Sequence, residues 1–195
     1  MASGTGTCVV RYDQAGDATY AAAAQMVESV TAQKADQSIA QFDAIKNATF
    51  GDPNFDVGAF TSSGLDVTFN VTGSCSVSGA TVHTTGAGSC TVTASQPGDA
   101  NHNAAPSMSR MFTIAKTGQT IDFEPLVDMT LGHRDFNVRA TADSGLRVVF
   151  TARGACTVRG LRAHLTRVGT CTITARQPGS ANFTAAESEA QSSPS

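Results

Sequence analysis

Laid over itself, the chain repeats. Residues 4–8 read GTGTC, 86–90 read GAGSC and 167–171 read RVGTC. The turn that follows repeats with them, as QAGDATYAAA from Gln14, QPGDANHNAA from Gln96 and QPGSANFTAA from Gln177. A third block pairs GDPNFDV (51–57) and SSGLDVTFNVTGSCSV (62–77) with GHRDFNV (132–138) and DSGLRVVFTARGACTV (143–158). Cys8 and Cys90 are 82 residues apart, Cys90 and Cys171 81. Several blocks sharing one period mean a module that recurs, and the fold must be one that closes within about 80 residues. The spacing divides the chain into residues 1–33, the C-terminal fragment of a preceding repeat, and two units, 34–115 and 116–195. Short polar joints separate them, Gln33 to Gln37 and Ala115 to Gln119, too short to leave neighbours much freedom.

Within each unit the hydrophobic period is two. Val67, Phe69 and Val71 alternate with Thr68, Asn70 and Thr72, and Cys90, Val92 and Ala94 match Cys171, Ile173 and Ala175. That is the pattern of half-buried strands, and Asp52-Pro53, Gln96-Pro97-Gly98 and Ser144-Gly145 mark turns between them. About seven short strands per unit and no convincing helix predict an all-β fold of antiparallel β-sandwiches in tandem. Ala21 to Val30 tempts a helix, but it aligns with Asn103 to Phe112, where Pro106 interrupts. Both read as a loop followed by a last strand.

SGLxVxFxVTGxCxVSG, GxGxCTVTASQxGDAN, FTIAK and QTIxF together resemble the bacterial immunoglobulin-like repeats of large cell-surface and secreted proteins. The likeness covers nearly the whole chain and is better in 34–115. It implies an immunoglobulin-like sandwich used as a stalk or interaction module of adhesin-type proteins. It says little about a specific task, because sandwiches host many.

Cys75 and Cys90 are 15 residues apart, as are Cys156 and Cys171, with a hairpin between the members of each pair. An intra-unit disulfide in each unit is the expectation; buried free thiols are the alternative. Cys8 is then the second cysteine of an incomplete unit, a free thiol able to cross-link two chains. Disulfides imply an extracellular or cell-surface setting. Met1 to Cys8 carries neither the basic nor the apolar region of a secretory signal, and a segment cut from a longer chain reconciles the two. No apolar run approaches the roughly 20 residues that span a bilayer, so no membrane insertion is expected.

No arrangement points to catalysis, a cofactor or a metal. His83 and His164 occupy equivalent positions that alternation with Val82 turns outward, as solvated strand residues. His102 aligns with Tyr20 and Phe183, a packing or corner position. Asp17 and Asp99 recur, but position 180 is Ser, so the G-D-A-N turn reads as side chains bonding local backbone rather than calcium. Sequons at Asn47, Asn70 and Asn182 carry little weight in a Thr-rich chain.

Charge is uneven. Eight arginines (134, 139, 147, 153, 159, 162, 167 and 176) fall within 43 residues that hold only Asp135 and Asp143, a local charge of +6 (8 minus 2). The remainder is −9 (5 minus 14), giving −3 for the chain. Arg139, Arg147, Arg153, Arg159 and Arg162 are candidate polyanion contacts, with Arg147 and Arg153 on the outward parity of one strand. Arginine drift on a solvated face is the other reading.

The last strand of unit 34–115 carries Met108, Met111, Phe112 and Ile114; 81 residues on stand Glu189, Ser192, Ser193 and Ser195. Unit 116–195 is therefore expected to have a degenerate last strand and an uncovered sheet edge. Residues 1–33 are candidates to complete such an edge by strand addition, within the chain or head to tail between molecules; loose docking is the alternative. The expected function is a non-catalytic spacer or adhesion segment whose partners are neighbouring immunoglobulin-like repeats and a surface glycan or protein ligand. The alternatives are a polyanion- or glycan-binding module and an immunoglobulin-like decoration of a phage particle.

Overall fold

The computed structural model describes residues 5–128, 130–132 and 135–194, with Pro194 as backbone only. Among these residues the chain is strand, turn and loop with no helix. Residues 1–33 hold β1 (Gly6–Tyr12) and β2 (Met26–Ala32). Residues 34–115 hold β3 (Ile39–Phe42), β4 (Ala48–Thr49), β5 (Phe55–Asp56), β6 (Ala59–Thr61), β7 (Thr68–Gly73), β8 (Cys75–Ser78), β9 (Thr81–Thr84), β10 (Gly88–Gln96) and β11 (Ala105–Ala115). Residues 116–195 hold β12 (Ile121–Phe123), β13 (Phe136–Asn137), β14 (Ala140–Ala142), β15 (Val149–Gly154), β16 (Cys156–Arg159), β17 (Arg162–Leu165), β18 (Thr170–Arg176) and β19 (Glu189–Pro194).

In 34–115 the sheets run β4-β11-β10-β7, β5-β9-β8 and β3-β6, antiparallel except where β4 lies parallel on β11. In 116–195 they run β15-β18-β19, β13-β17-β16 and β12-β14, all antiparallel. The period of two does the sorting. Cys90, Val92 and Ala94 on β10 are wholly buried, and on β18 Cys171, Ile173 and Ala175 are buried to within 1%. Each segment closes its own core. One gathers Ile39, Phe42, Val82, Val92, Phe112 and Ile114; the other gathers Ile121, Phe123, Val138, Val148, Leu165 and Ile173.

Two expectations need correction. The edge beside β18 is covered: β19 pairs with it from Thr170↔Pro194 to Ala175↔Glu189, and Cys171↔Ser193 repeats the Cys90↔Phe112 pairing of β10 and β11. A ladder is built from backbone N–H and C=O, so the loss of apolar side chains did not remove the strand. Polar substitutes stabilise it. Ser193 is 6% exposed and donates from Oγ to the Val127 carbonyl at 3.1 Å. Gln191 Nε2 donates to the Phe123 carbonyl at 2.6 Å, as Arg110 Nε donates to Phe42 at 2.9 Å in the preceding segment. Ser195 lies outside the described residues.

Strand addition by residues 1–33 within the chain is the second correction. β1 and β2 pair with each other from Gly6↔Ala32 to Tyr12↔Met26 and form a separate two-stranded sheet. Cys8↔Val30 is again the Cys90↔Phe112 register, but among the described residues no opposing sheet covers it, and Val10, Met26 and Val30 are exposed.

Candidate functional site

The cysteines sit where each sheet hands the chain to the other. β7 ends at Gly73, the chain crosses at Ser74, and β8 begins at Cys75 in the sheet opposite β10. Cys75 and Cys90 are joined across the two sheets with their Cα atoms 5.7 Å apart, and Cys156 and Cys171 likewise at 5.3 Å. Cys8, on β1, is a free and exposed thiol. The crossing itself demands glycine. Gly73 has φ +99° and a Cβ there would stand 2.2 Å from the Ser89 carbonyl oxygen; Gly154 has φ +89° and the same distance to Thr170 O.

A second construction, which the motif reading missed, is a buried glutamine pair. Gln37 Nε2 donates to Gln96 Oε1 at 2.8 Å and to the Asn103 carbonyl at 2.7 Å. Gln119 Nε2 donates to Gln177 Oε1 and to the Thr184 carbonyl, both at 2.6 Å. All four are 5–8% exposed, so each amide must find its partners inside the protein. Gln96 and Gln177 in turn accept from the backbone N–H of Gly98 and Gly179. The pair therefore fastens the residues leading into β3 and β12 to the turn after β10 or β18. The signal was present as glutamines 59 and 58 residues apart in successive segments.

That turn is held by its own side chains. Asp99 Oδ1 accepts from the N–H of Asn101 at 2.8 Å and of His102 at 2.7 Å, and Asp17 does the same for Thr19 and Tyr20 at 2.7 and 2.8 Å. These backbone donors hold both carboxyls below the usual aspartate value, first that of Asn101 for Asp99 and that of Thr19 for Asp17. Ser180 stands in for the aspartate, its Oγ accepting from Asn182 and Phe183 at 3.1 and 3.3 Å. His102 Nδ1 lies 3.0 Å from Asp99 Oδ1, a corner contact. His83 is half-buried rather than turned fully outward, while His164 is exposed with Nδ1 2.9 Å from Asp135 Oδ1.

The same turn joins the two large segments. Phe183 packs edge-on against Phe50 with ring centroids 5.8 Å apart and planes at 85°. Asn182 Oδ1 accepts from the Ala87 N–H at 3.0 Å, and Thr117 Oγ1 donates to the Phe50 carbonyl.

The arginines do not form one site. Arg139, Arg147, Arg153, Arg159 and Arg162 are all exposed. Arg153 on β15 and Arg176 on β18 belong to the β15-β18-β19 sheet, and Arg147 precedes β15 by two residues. Arg159 and Arg162 instead face each other as a cross-strand pair in the β13-β17-β16 sheet, Arg162 Nε lying 3.7 Å from Asp135 Oδ2. Val138 N–H donates to the Leu161 carbonyl at 2.8 Å, which sets Arg139 beside that pair. Arg134 lies outside the described residues. Among the described residues no three His, Cys, Asp or Glu side chains converge in a way that could hold a metal ion. Set against known proteins, the chain matches no family model, and no curated protein matches it either.

Proposed function

We propose that the chain is a non-catalytic extracellular spacer or adhesion segment made of tandem immunoglobulin-like sandwiches. The observation that carries this reading is the junction of Phe50, Ala87, Thr117, Asn182 and Phe183. A spacer transmits position only if its joints resist bending, and an aromatic contact with two hydrogen bonds restrains a joint that a bare linker would leave free. The cross-sheet disulfides suit an oxidising setting, and no helix of the described residues is long and apolar enough to cross a membrane. An immunoglobulin-like decoration of a phage particle would use the same stacked units. Small-angle scattering and 15N relaxation test the joint. The expected result is one correlation time for both large segments, lost in Phe183→Ala; independent tumbling in the unmodified chain overturns the spacer reading.

The exposed arginines favour a second reading, recognition of an acidic glycan or other polyanion by residues 134–176. Arg153 and Arg176 belong to the β15-β18-β19 sheet and Arg159 and Arg162 to the β13-β17-β16 sheet, while Arg147 lines a space that Leu161 also lines.

A further inference from the structure

Equivalent positions of the two large segments differ in a complementary way. In 34–115 an open groove of about 460 Å³ lies between β3, β5 and β6. Phe42, Ile45, Phe55 and Phe60 give it apolar walls, and Asp43, Asp52 and Asp56 stand on its rim against Lys46 alone. Phe60, at the mouth of the groove, is 67% exposed. In 116–195 a cavity of about 70 Å³ lies against Leu126, Phe136 and Arg139, and a separate space of about 500 Å³ is lined by Thr141 and Leu161. By the 81-residue offset Arg139 takes the place of Gly58 and Thr141 that of Phe60.

The hairpin tip beside the groove has changed in the opposite sense. In 34–115 it reads Ser78-Gly79-Ala80-Thr81, with nothing to insert. In 116–195 it reads Arg159-Gly160-Leu161-Arg162, with Leu161 54% exposed between two arginines and Arg139 alongside. One segment therefore carries an apolar hole rimmed by three aspartates and one lysine, and the other an apolar tip flanked by three arginines and Asp135.

The geometry points to self-association in which the Leu161 tip of one copy enters the Phe42–Phe55–Phe60 groove of another, with Arg139, Arg159 and Arg162 against Asp43, Asp52 and Asp56. The contact joins unlike surfaces, so it either closes reciprocally between two copies or propagates from copy to copy. It is independent of the spacer reading, which concerns the joint within one chain.

Sedimentation velocity on the full chain tests it, in a Cys8→Ser background that removes disulfide cross-linking. Mass should rise with concentration between about 5 and about 500 µM, and the association should weaken at least about tenfold from ~50 to ~500 mM salt. Gly58→Arg supplies the blocking residue that 116–195 already carries. A Cβ at Gly58 meets nothing within 4 Å, so this variant should keep the melting temperature and become monomeric. Leu161→Asp should also be monomeric, and an equimolar mixture of the two variants should form a 1:1 heterodimer through the one intact groove and one intact tip. A chain that stays monomeric throughout, or a folded Gly58→Arg that associates as the parent does, overturns the proposal.

Discussion

Gly73 and Gly154 show how much of the cross-sheet geometry rests on single residues. Each has a left-handed φ and a carbonyl oxygen where a Cβ would go, so Gly73→Ala brings both backbone strain and a contact that cannot be relieved by a rotamer change. We expect Gly73→Ala and Gly154→Ala each to cost about 1–3 kcal/mol or more in chemical denaturation. Gly58→Ala, in open space and without a left-handed φ, should stay within about 0.5 kcal/mol of the parent. Asp143 adds a pH dependence of known sign. The N–H of Thr120 and then its hydroxyl bond the carboxylate at 3.0 and 2.8 Å, and they hold the carboxyl below its ordinary 3.8. A depressed folded value means the contribution is complete above the unfolded value and fades as pH falls through the lowered one. Melting curves from about pH 5 to about pH 2 should therefore slope less in Asp143→Asn than in the parent. The aspartate turn was legible in the repeated G-D-A-N block, because an Asx side chain in a turn has few partners other than nearby N–H groups. The glutamine pair was not, because a polar residue in a loop-like context reads as exposed until the fold brings its partner from 59 residues away.

At the scale of strands, the alternation of β7, β10, β15 and β18 was readable because each presents one face to a core and the other to solvent. The two-residue strand β4 was not, since two residues carry no period. The last strand misled for a different reason. Its apolar side chains are gone from β19, yet the six backbone pairings to β18 remain, with Thr172 Oγ1 and Ser192 Oγ 2.8 Å apart on one face. If that ladder protects β18, ending the chain after Ser188 should lower the melting temperature of 116–195 by more than about 5 °C. An unchanged transition would show that β19 contributes nothing. The disulfides act between the same elements. By tying β8 to β10 and β16 to β18 they shorten the unfolded chain's freedom over a 15-residue separation, worth about 3 kcal/mol each. Paired alanine replacement of Cys75 and Cys90 should lower unfolding stability by about 2–4 kcal/mol while leaving the transition of 116–195 in place, because the two cores share no residue.

For the molecule as a whole, the charge of +6 over residues 134–176 against −9 elsewhere is a property of sequence that folding then distributes. The structure splits it. Arg153 and Arg176 go with the β15-β18-β19 sheet, while Arg139, Arg159 and Arg162 gather near the β16–β17 tip, where Asp135 already draws on Arg162 and Arg147 lines a space beside Leu161. A polyanion long enough to touch both patches would displace several counterions, and one that fits a single patch fewer, so the number of patches engaged is written in the salt dependence. On a heparin column, residues 116–195 should elute at higher salt than residues 34–115. Charge reversal at Arg153 and Arg176 should reduce the slope of log affinity against log salt by about 2, and reversal at Arg159 and Arg162 by about 2 more if both patches engage. A slope that responds to only one pair confines the contact to that sheet. Equal elution of the two segments would remove the arginines from any polyanion role.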